Sequence, residues 1–177
     1  MRGLNLLKEE KRVYWKFSSK WLSKQLDCTL NGILTKCGAG CCRNDRVKFW
    51  PPSSGQDGKC PWLGEKGCKL PWENRPIECL MAPLVVRNNS VGLHIYAVTI
   101  KGGTCNKCYK SGPRVVDALA DCLILLFGVD NYKRIKEGVD NDLDISVELS
   151  KVFLERLQHE ETLKNNNIVP ALENLSR

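Results

Sequence analysis

The chain predicts an α+β fold: a small cysteine-rich metal-binding domain with a β-hairpin, packed against N- and C-terminal helices. Three observations predict it. Six of the ten cysteines fall in the 43 residues from Cys37 to Cys79, a stretch dense in Gly, Pro and Trp that lacks the apolar periodicity an independent core needs. Residues 84–100 are rich in β-formers on both sides of a turn sequence. From Pro113 onward, apolar residues recur at helical spacing. The matching division is an N-terminal helical segment (1–26), a cysteine-cluster domain (27–112), a helical region (113–164) and a tail (165–177).

At 177 residues the chain is long enough for one domain with a real core. Its 42% hydrophobic and 27% charged residues are ordinary for a soluble globular protein. Residues 1–15 hold no uninterrupted apolar run, because Lys8, Glu9, Glu10, Lys11 and Arg12 break it, so no signal peptide is expected. The longest apolar run, Ala118 to Val129, contains Asp121 and is too short to span a bilayer. A cytoplasmic, thiol-reducing location is therefore expected, with no membrane partner. In that setting clustered cysteines mean metal or redox chemistry, with a disulfide framework the lesser reading.

The net charge of +7 is uneven. Residues 1–50 carry 11 Lys/Arg against 4 Asp/Glu, residues 51–114 carry 9 against 4, and residues 115–177 carry 7 against 12. A basic cysteine region is expected to compensate thiolate charge; an anionic partner such as nucleic acid is the alternative.

Taking the elements in order, Leu4 to Leu26 reads as a helix, with Ser18-Ser19 the place for an interruption. Val13, Tyr14, Phe17, Trp21 and Leu22 recur near helical spacing, and Lys8, Arg12, Lys16, Lys20 and Lys24 share another face. The aromatic stripe is expected to pack in the core. The lysine ladder is self-repelling in isolation and reads first as a solvated face, second as a surface for an acidic partner.

Asn31 to Pro83 reads as loops and short strands, with Val47–Trp50 one strand ended by Pro51-Pro52. Cys37-x3-Cys41 brings two sulfurs together across a turn in which Gly38 and Gly40 permit positive φ. The N–H groups of such a turn stabilise thiolate charge. Cys42 follows Cys41 directly, and neighbours in extended chain point in opposite directions. That geometry suits two metals, or one metal and the core, better than a single ion. Trp62 and Trp72 each follow a Pro close to a Cys and are expected to shield the site from water, with stacking on a base or substrate the lesser reading. Arg75 is expected to donate to a cysteine sulfur or a backbone carbonyl, or to pack in its turn.

The order Cys37-Gly-Ala-Gly-Cys41-Cys42, then Cys60-Pro, then Gly67-Cys68-Lys-Leu-Pro71 and Arg75-Pro76-Ile-Glu-Cys79 resembles the YkgJ family of cysteine-cluster proteins. That family is described as a zinc- or iron-chelating domain and is similar to the cluster region of flagellin lysine N-methylase. The resemblance covers residues 28–83 and implies Cys37, Cys41, Cys42, Cys60, Cys68 and Cys79 as metal ligands, with Arg75-Pro76 as the signature turn. Where the family often has a further Cys three residues before Cys37, this chain has Leu34, and Cys28 is the substitute from upstream.

Leu84–Val86 and Leu93–Ile100 flank Asn88-Asn89-Ser90 and predict a β-hairpin, with His94 as a surface or core residue. Cys105-x2-Cys108, after Gly102-Gly103, has metal-knuckle spacing and joins the candidate ligands. Arg114 to Phe127 is apolar nearly all round, which predicts a buried helix with Cys122 as a packing residue. Gly128 ends it, a short helix follows at Asn131–Glu137, and Asp142 or Asp144 caps a last helix through Leu163 whose apolar positions include Val147, Leu149, Val152, Phe153 and Leu157. Such helices also suit a protein partner.

The candidate metal ligands are thus Cys28, Cys37, Cys41, Cys42, Cys60, Cys68, Cys79, Cys105 and Cys108. A [4Fe–4S] cluster takes four cysteines, and structural zinc takes four ligands per ion. The adjacent Cys pair and the shielding indoles favour the iron–sulfur cluster, with zinc the alternative. Three function classes follow: a cluster-dependent enzyme such as the lysine N-methylase of the resemblance, an electron-transfer or metal-handling protein, and a zinc-stabilised module binding nucleic acid or protein. No catalytic Cys/His or Ser/His pair and no glycine-rich methyl-donor loop stands out.

Overall fold

The computed structural model describes residues 12–26, 60, 62–64, 67–71, 74–93 and 109–165. Helices and strands both contribute, and the fold is α+β. The central sheet has four strands: β1 (Tyr14–Phe17), β5 (Leu84–Arg87), β6 (Ser90–Leu93) and β8 (Ile145–Glu148), in the order β5-β6-β1-β8. The pairs β5–β6 and β1–β8 are antiparallel, whereas β1 and β6 run parallel, with Phe17 opposite Val91. A parallel pair needs a crossover connection. Here everything between β1 and β6 serves as that connection, including the stretch from Cys37 to Cys79.

Residues 12–26 do not form the helix expected over Leu4–Leu26. They form β1, the one-turn helix α1 (Ser19–Leu22) and the short strand β2 (Gln25–Leu26). The reason is a period of two hidden in the aromatic stripe: Trp15 and Phe17 are buried while Tyr14 and Lys16 are exposed. With strands on both sides, alternation wins over helical spacing. The single lysine face dissolves with the helix. Arg12 lies 3.6 Å from Glu148, Lys16 lies 3.1 Å from Asp144, and Lys20 sits 5.3 Å above the Trp21 ring.

A hairpin, β5–β6, starts at Leu84 as expected, but its second strand begins at Ser90 rather than Leu93, so that Ser90 belongs to the strand and not to the turn. Asn88 and Asn89 close it. Both have positive φ, 49° and 60°, the conformation a tight two-residue hairpin turn demands and Asn tolerates. Residues 94–100 lie outside the described residues, as do Val47–Trp50.

The C-terminal stretch is helical but not wholly so. β7 (Tyr109–Arg114) pairs with β2. It leads into α3 (Val115–Ala118) and α4 (Ala120–Phe127), so the buried helix expected over Arg114–Phe127 is interrupted at Leu119. Cys122, Leu123 and Leu126 are buried, but Leu125 is 47% exposed, so the helix is two-faced rather than enclosed. Gly128 ends it with φ of 82°, as expected. The next helix, α5 (Val129–Asp140), is longer than Asn131–Glu137 at both ends.

The expected last helix begins later than Asp142 or Asp144 would cap it. Val147 belongs to β8, and α6 spans Lys151–Asn165. Asp144 caps a different helix: its Oδ1 accepts the Ser19 N–H at 2.9 Å, at the start of α1.

One apolar core joins most of the described elements, from Trp15, Phe17 and Leu26 through Leu80 and Val91 to Leu123, Val147 and Phe153. Its centre is aromatic. Trp15 meets Phe153 edge-on at 5.2 Å between ring centroids, and Phe17 meets Phe127 at 5.2 Å, geometries that ring quadrupoles favour. Cys122 packs at its border as expected. Among the described residues no helix is long and apolar enough to cross a membrane.

Candidate metal centre

Three of the nine candidate ligands lie among the described residues: Cys60, Cys68 and Cys79. Cys28, Cys37, Cys41, Cys42, Cys105 and Cys108 lie outside them, with Trp72 and His94.

Cys68 stands on β4 (Gly67–Cys68), which pairs with β3 (Leu63–Gly64) so that Cys68 is opposite Leu63. The Lys69 N–H closes this miniature hairpin by donating to the Trp62 carbonyl at 2.8 Å. Trp62 and Leu70 are each only 3% exposed, which gives the cysteine stretch buried apolar residues of its own. Trp62 is therefore withdrawn from water.

Cys79 stands on α2 (Ile77–Met81), whose Ile77, Leu80 and Met81 are buried in the main core. Cys79 lies on the flank of that buried face and is half-buried, like Cys60 and Cys68. Cys122 differs. It is buried in α4, and burial pushes its thiol up to about 11, with Asp121 adding to the rise and Arg75 opposing it. Its burial in the main core is what a packing group shows.

The turn before Cys79 is fixed from a distance. The Arg75 side chain donates from Nε to the Leu70 carbonyl at 3.0 Å, the backbone-carbonyl role expected of it. Pro76 has no N–H and opens α2 in an extended conformation, φ −52° and ψ 145°, leaving Ile77 to present the first N–H of the helix. That N–H donates to Glu160 Oε2 at 2.9 Å. Arg156, one turn earlier on α6, donates from Nε to Glu160 Oε1 at 3.0 Å and from Nη2 to the Arg75 carbonyl. The Arg156 and Glu160 side chains are 29% and 18% exposed. Sequence reading missed both residues. Their only signal was an Arg/Glu pair four apart on a helix, a pattern that ordinarily marks a solvated face.

The two ends of the cysteine region are also brought together. Leu26 pairs with Tyr109 across β2–β7, and the Val115 N–H donates to the Lys24 carbonyl at 2.8 Å. Cys28 follows Leu26 by two residues and Cys108 precedes Tyr109 by one. An ionic group fastens the next elements: Arg114 bonds Asp117 at 2.8 Å and Asp140 at 2.6 Å, and Lys136 bonds Asp117. Burial pushes the Asp117 carboxyl up, but hydrogen bonds from Arg114 and Lys136 outweigh it and hold the group below its ordinary value.

Among the described residues no three His, Cys, Asp or Glu side chains are grouped so as to hold a metal ion. The donors on hand are soft sulfurs, which fit zinc or an iron–sulfur cluster and fit magnesium or calcium poorly. No family model, curated protein or solved structure matches the chain.

Proposed function

We propose that this is a cysteine-ligated metal protein, that its metal is an iron–sulfur cluster, and that it works in electron transfer, in metal handling or as part of a cluster-dependent enzyme. The observation that carries the reading is the ordered cysteine series from Cys37 to Cys79. Its described members support it by their contrast with Cys122. Cys60, Cys68 and Cys79 are half-buried, Cys68 and Cys79 on short elements, whereas Cys122, outside the series, is buried in α4. When bound, such a cluster supplies one-electron chemistry at a potential tuned by nearby hydrogen bonds and solvent exposure. The chain's own part is to hold thiols in place, with Trp62 keeping water away and Arg75 fixing the turn that leads to Cys79.

The experiment is anaerobic purification followed by optical spectroscopy and analysis for iron, sulfide and zinc. Brown protein with iron and acid-labile sulfide is the expected result. Colourless protein with zinc and no sulfide would replace the cluster by a zinc-stabilised binding module. Wild-type-like metal content in a Cys41→Ser, Cys60→Ser, Cys79→Ser triple variant would end the metal reading altogether.

A further inference from the structure

The described residues contain one arrangement that a packing role alone does not call for. Two hydrogen bonds join side chains of α6 to two backbone groups, Arg75 C=O and Ile77 N–H, that sit on either side of Pro76, and a third joins those two side chains to each other. Each Glu160 oxygen has its own donor: Oε1 takes Arg156 and Oε2 takes Ile77 N–H. The guanidinium in turn reaches the carbonyl of Arg75. The result is a closed ring, Arg75 C=O to Arg156 to Glu160 to Ile77 N–H, built across more than 80 residues of sequence. It fixes the direction in which α2 leaves Pro76. Cys79 is two residues further on, in the first turn of that helix, and its own N–H bonds the Pro76 carbonyl at 2.9 Å. The orientation of the Cys79 Cα–Cβ bond thus depends on the packing of Ile77, Leu80 and Met81 in the core and on the hold that Glu160 and Arg156 have on the backbone before it.

We infer that Arg156 and Glu160 are positioning residues for the Cys79 metal ligand, so that α6 holds the metal-binding arm in its ligating geometry without touching metal. This rests on the metal-binding reading above. The physical case is that a ligand sulfur gains affinity when its carrier is immobilised before the metal arrives. Groups that orient ligands from outside the coordination sphere ordinarily contribute about 10–100-fold to metal affinity. Glu160 and Arg156 are also shielded enough for their charge-assisted bonds to outlast salt, unlike the exposed pair of Arg12 and Glu148.

The test compares anaerobically purified full-length wild type, Glu160→Ala, Glu160→Gln, Arg156→Lys and Asp117→Asn. Metal content per chain, the rate of metal release to excess chelator and the urea midpoint are measured for each. Glu160→Ala should release metal about 10-fold faster than wild type. Glu160→Gln, whose single amide oxygen can still accept from the Ile77 N–H but whose NH2 then faces the Arg156 guanidinium, should release metal at a rate between wild type and Glu160→Ala. Arg156→Lys, which keeps the charge but loses the fork to the Arg75 carbonyl, should fall between them and decides the matter if Glu160→Ala is insoluble. Asp117→Asn weakens the ionic group between α3 and α5 and controls for general loss of stability. Release as slow as wild type from Glu160→Ala and Arg156→Lys overturns the inference alone. So does equal acceleration by Asp117→Asn. A wild type that carries no metal overturns the metal reading and this one with it.

Discussion

Gly138, inside α5, sets two sizeable effects against each other, so replacing it with Ala is a test of sign. In a helix interior Ala is favoured over Gly by about 1 kcal/mol, and a sequence-based optimisation would make this change. The packing says otherwise. A Cβ at position 138 would lie 2.2 Å from Cγ1 and 2.7 Å from Cδ1 of Ile145, and 2.9 Å from the Leu143 carbonyl oxygen. The side chain of Ile145 has some room to swing, being only half-buried. The carbonyl has little, because the Leu143 N–H is itself bound to the Gly138 carbonyl at 2.8 Å. Overpacking costs roughly 1–3 kcal/mol, and simultaneous pressure on β8 and on the turn before it places this site at the upper end. Set against the helix gain, Gly138→Ala should destabilise by about 2 kcal/mol. In a chain this long that lowers Tm by roughly 2–4 °C per kcal/mol. Urea unfolding gives the result directly, as a lower midpoint at unchanged slope. Adding Ile145→Ala should recover about 1 kcal/mol relative to the sum of the two single changes. A Gly138→Ala protein as stable as wild type, or more so, refutes the packing of α5 against β8 described above.

Two further outcomes follow from the titrating groups. The carboxyls of Asp117 and Asp144 are both held below their ordinary values, Asp144 by hydrogen bonds from Lys16 and then from the Ser19 N–H. A depressed folded pKa contributes stability that is fully present above the unfolded value, about 3.9, and is lost as pH falls through the folded one. The urea midpoint should therefore drop as pH is lowered below about 4, and less steeply in an Asp117→Asn, Asp144→Asn double variant; parallel curves would count against both ionic groups. The Cys122 thiol, pushed up to about 11 by burial, should resist iodoacetamide in the folded protein at pH 8 and react once urea unfolds it. Rapid native labelling at Cys122, read by peptide mass, would contradict its placement in the core.

The parts of this fold legible in the sequence are those decided by neighbours along the chain. The turn and first strand of the β5–β6 hairpin could be read because Asn88-Asn89 supplies the turn and Leu84-Val85-Val86 precede it, whereas Ser90 and Gly92 hid the start of the second strand. The stop at Gly128 could be read because the helix ends where only glycine accepts that φ easily. The N-terminal strand could not. Val13, Tyr14, Phe17 and Trp21 fit a helix, Trp15 and Phe17 fit a strand, and four residues are too few for periodicity to choose. What chose was the pair of partners, Val91 on one side and Val147 on the other. Asp144 was recognised as a cap but matched to the helix following it, whereas its partner Ser19 is 125 residues away. The same holds for the turn before Cys79. Arg75-Pro76 and the cysteine spacing were visible, but their support by Glu160 comes from 83 residues downstream.

The parallel pairing of β1 with β6 also bears on how the chain comes together during synthesis. Phe17 is made early, but its partner Val91 follows 74 residues later, and Val147 later still. Closing a flexible segment of that length costs about 4 kcal/mol in chain entropy. Long-range pairings of this kind form late and slowly. Until they form, Trp15 and Phe17 have no place in a sheet, and β1 is an apolar strand with two open edges. The whole cysteine stretch is translated within that interval. The nascent protein thus carries its thiols and its unpaired first strand together, in the part of its life when aggregation and oxidation compete most directly with folding.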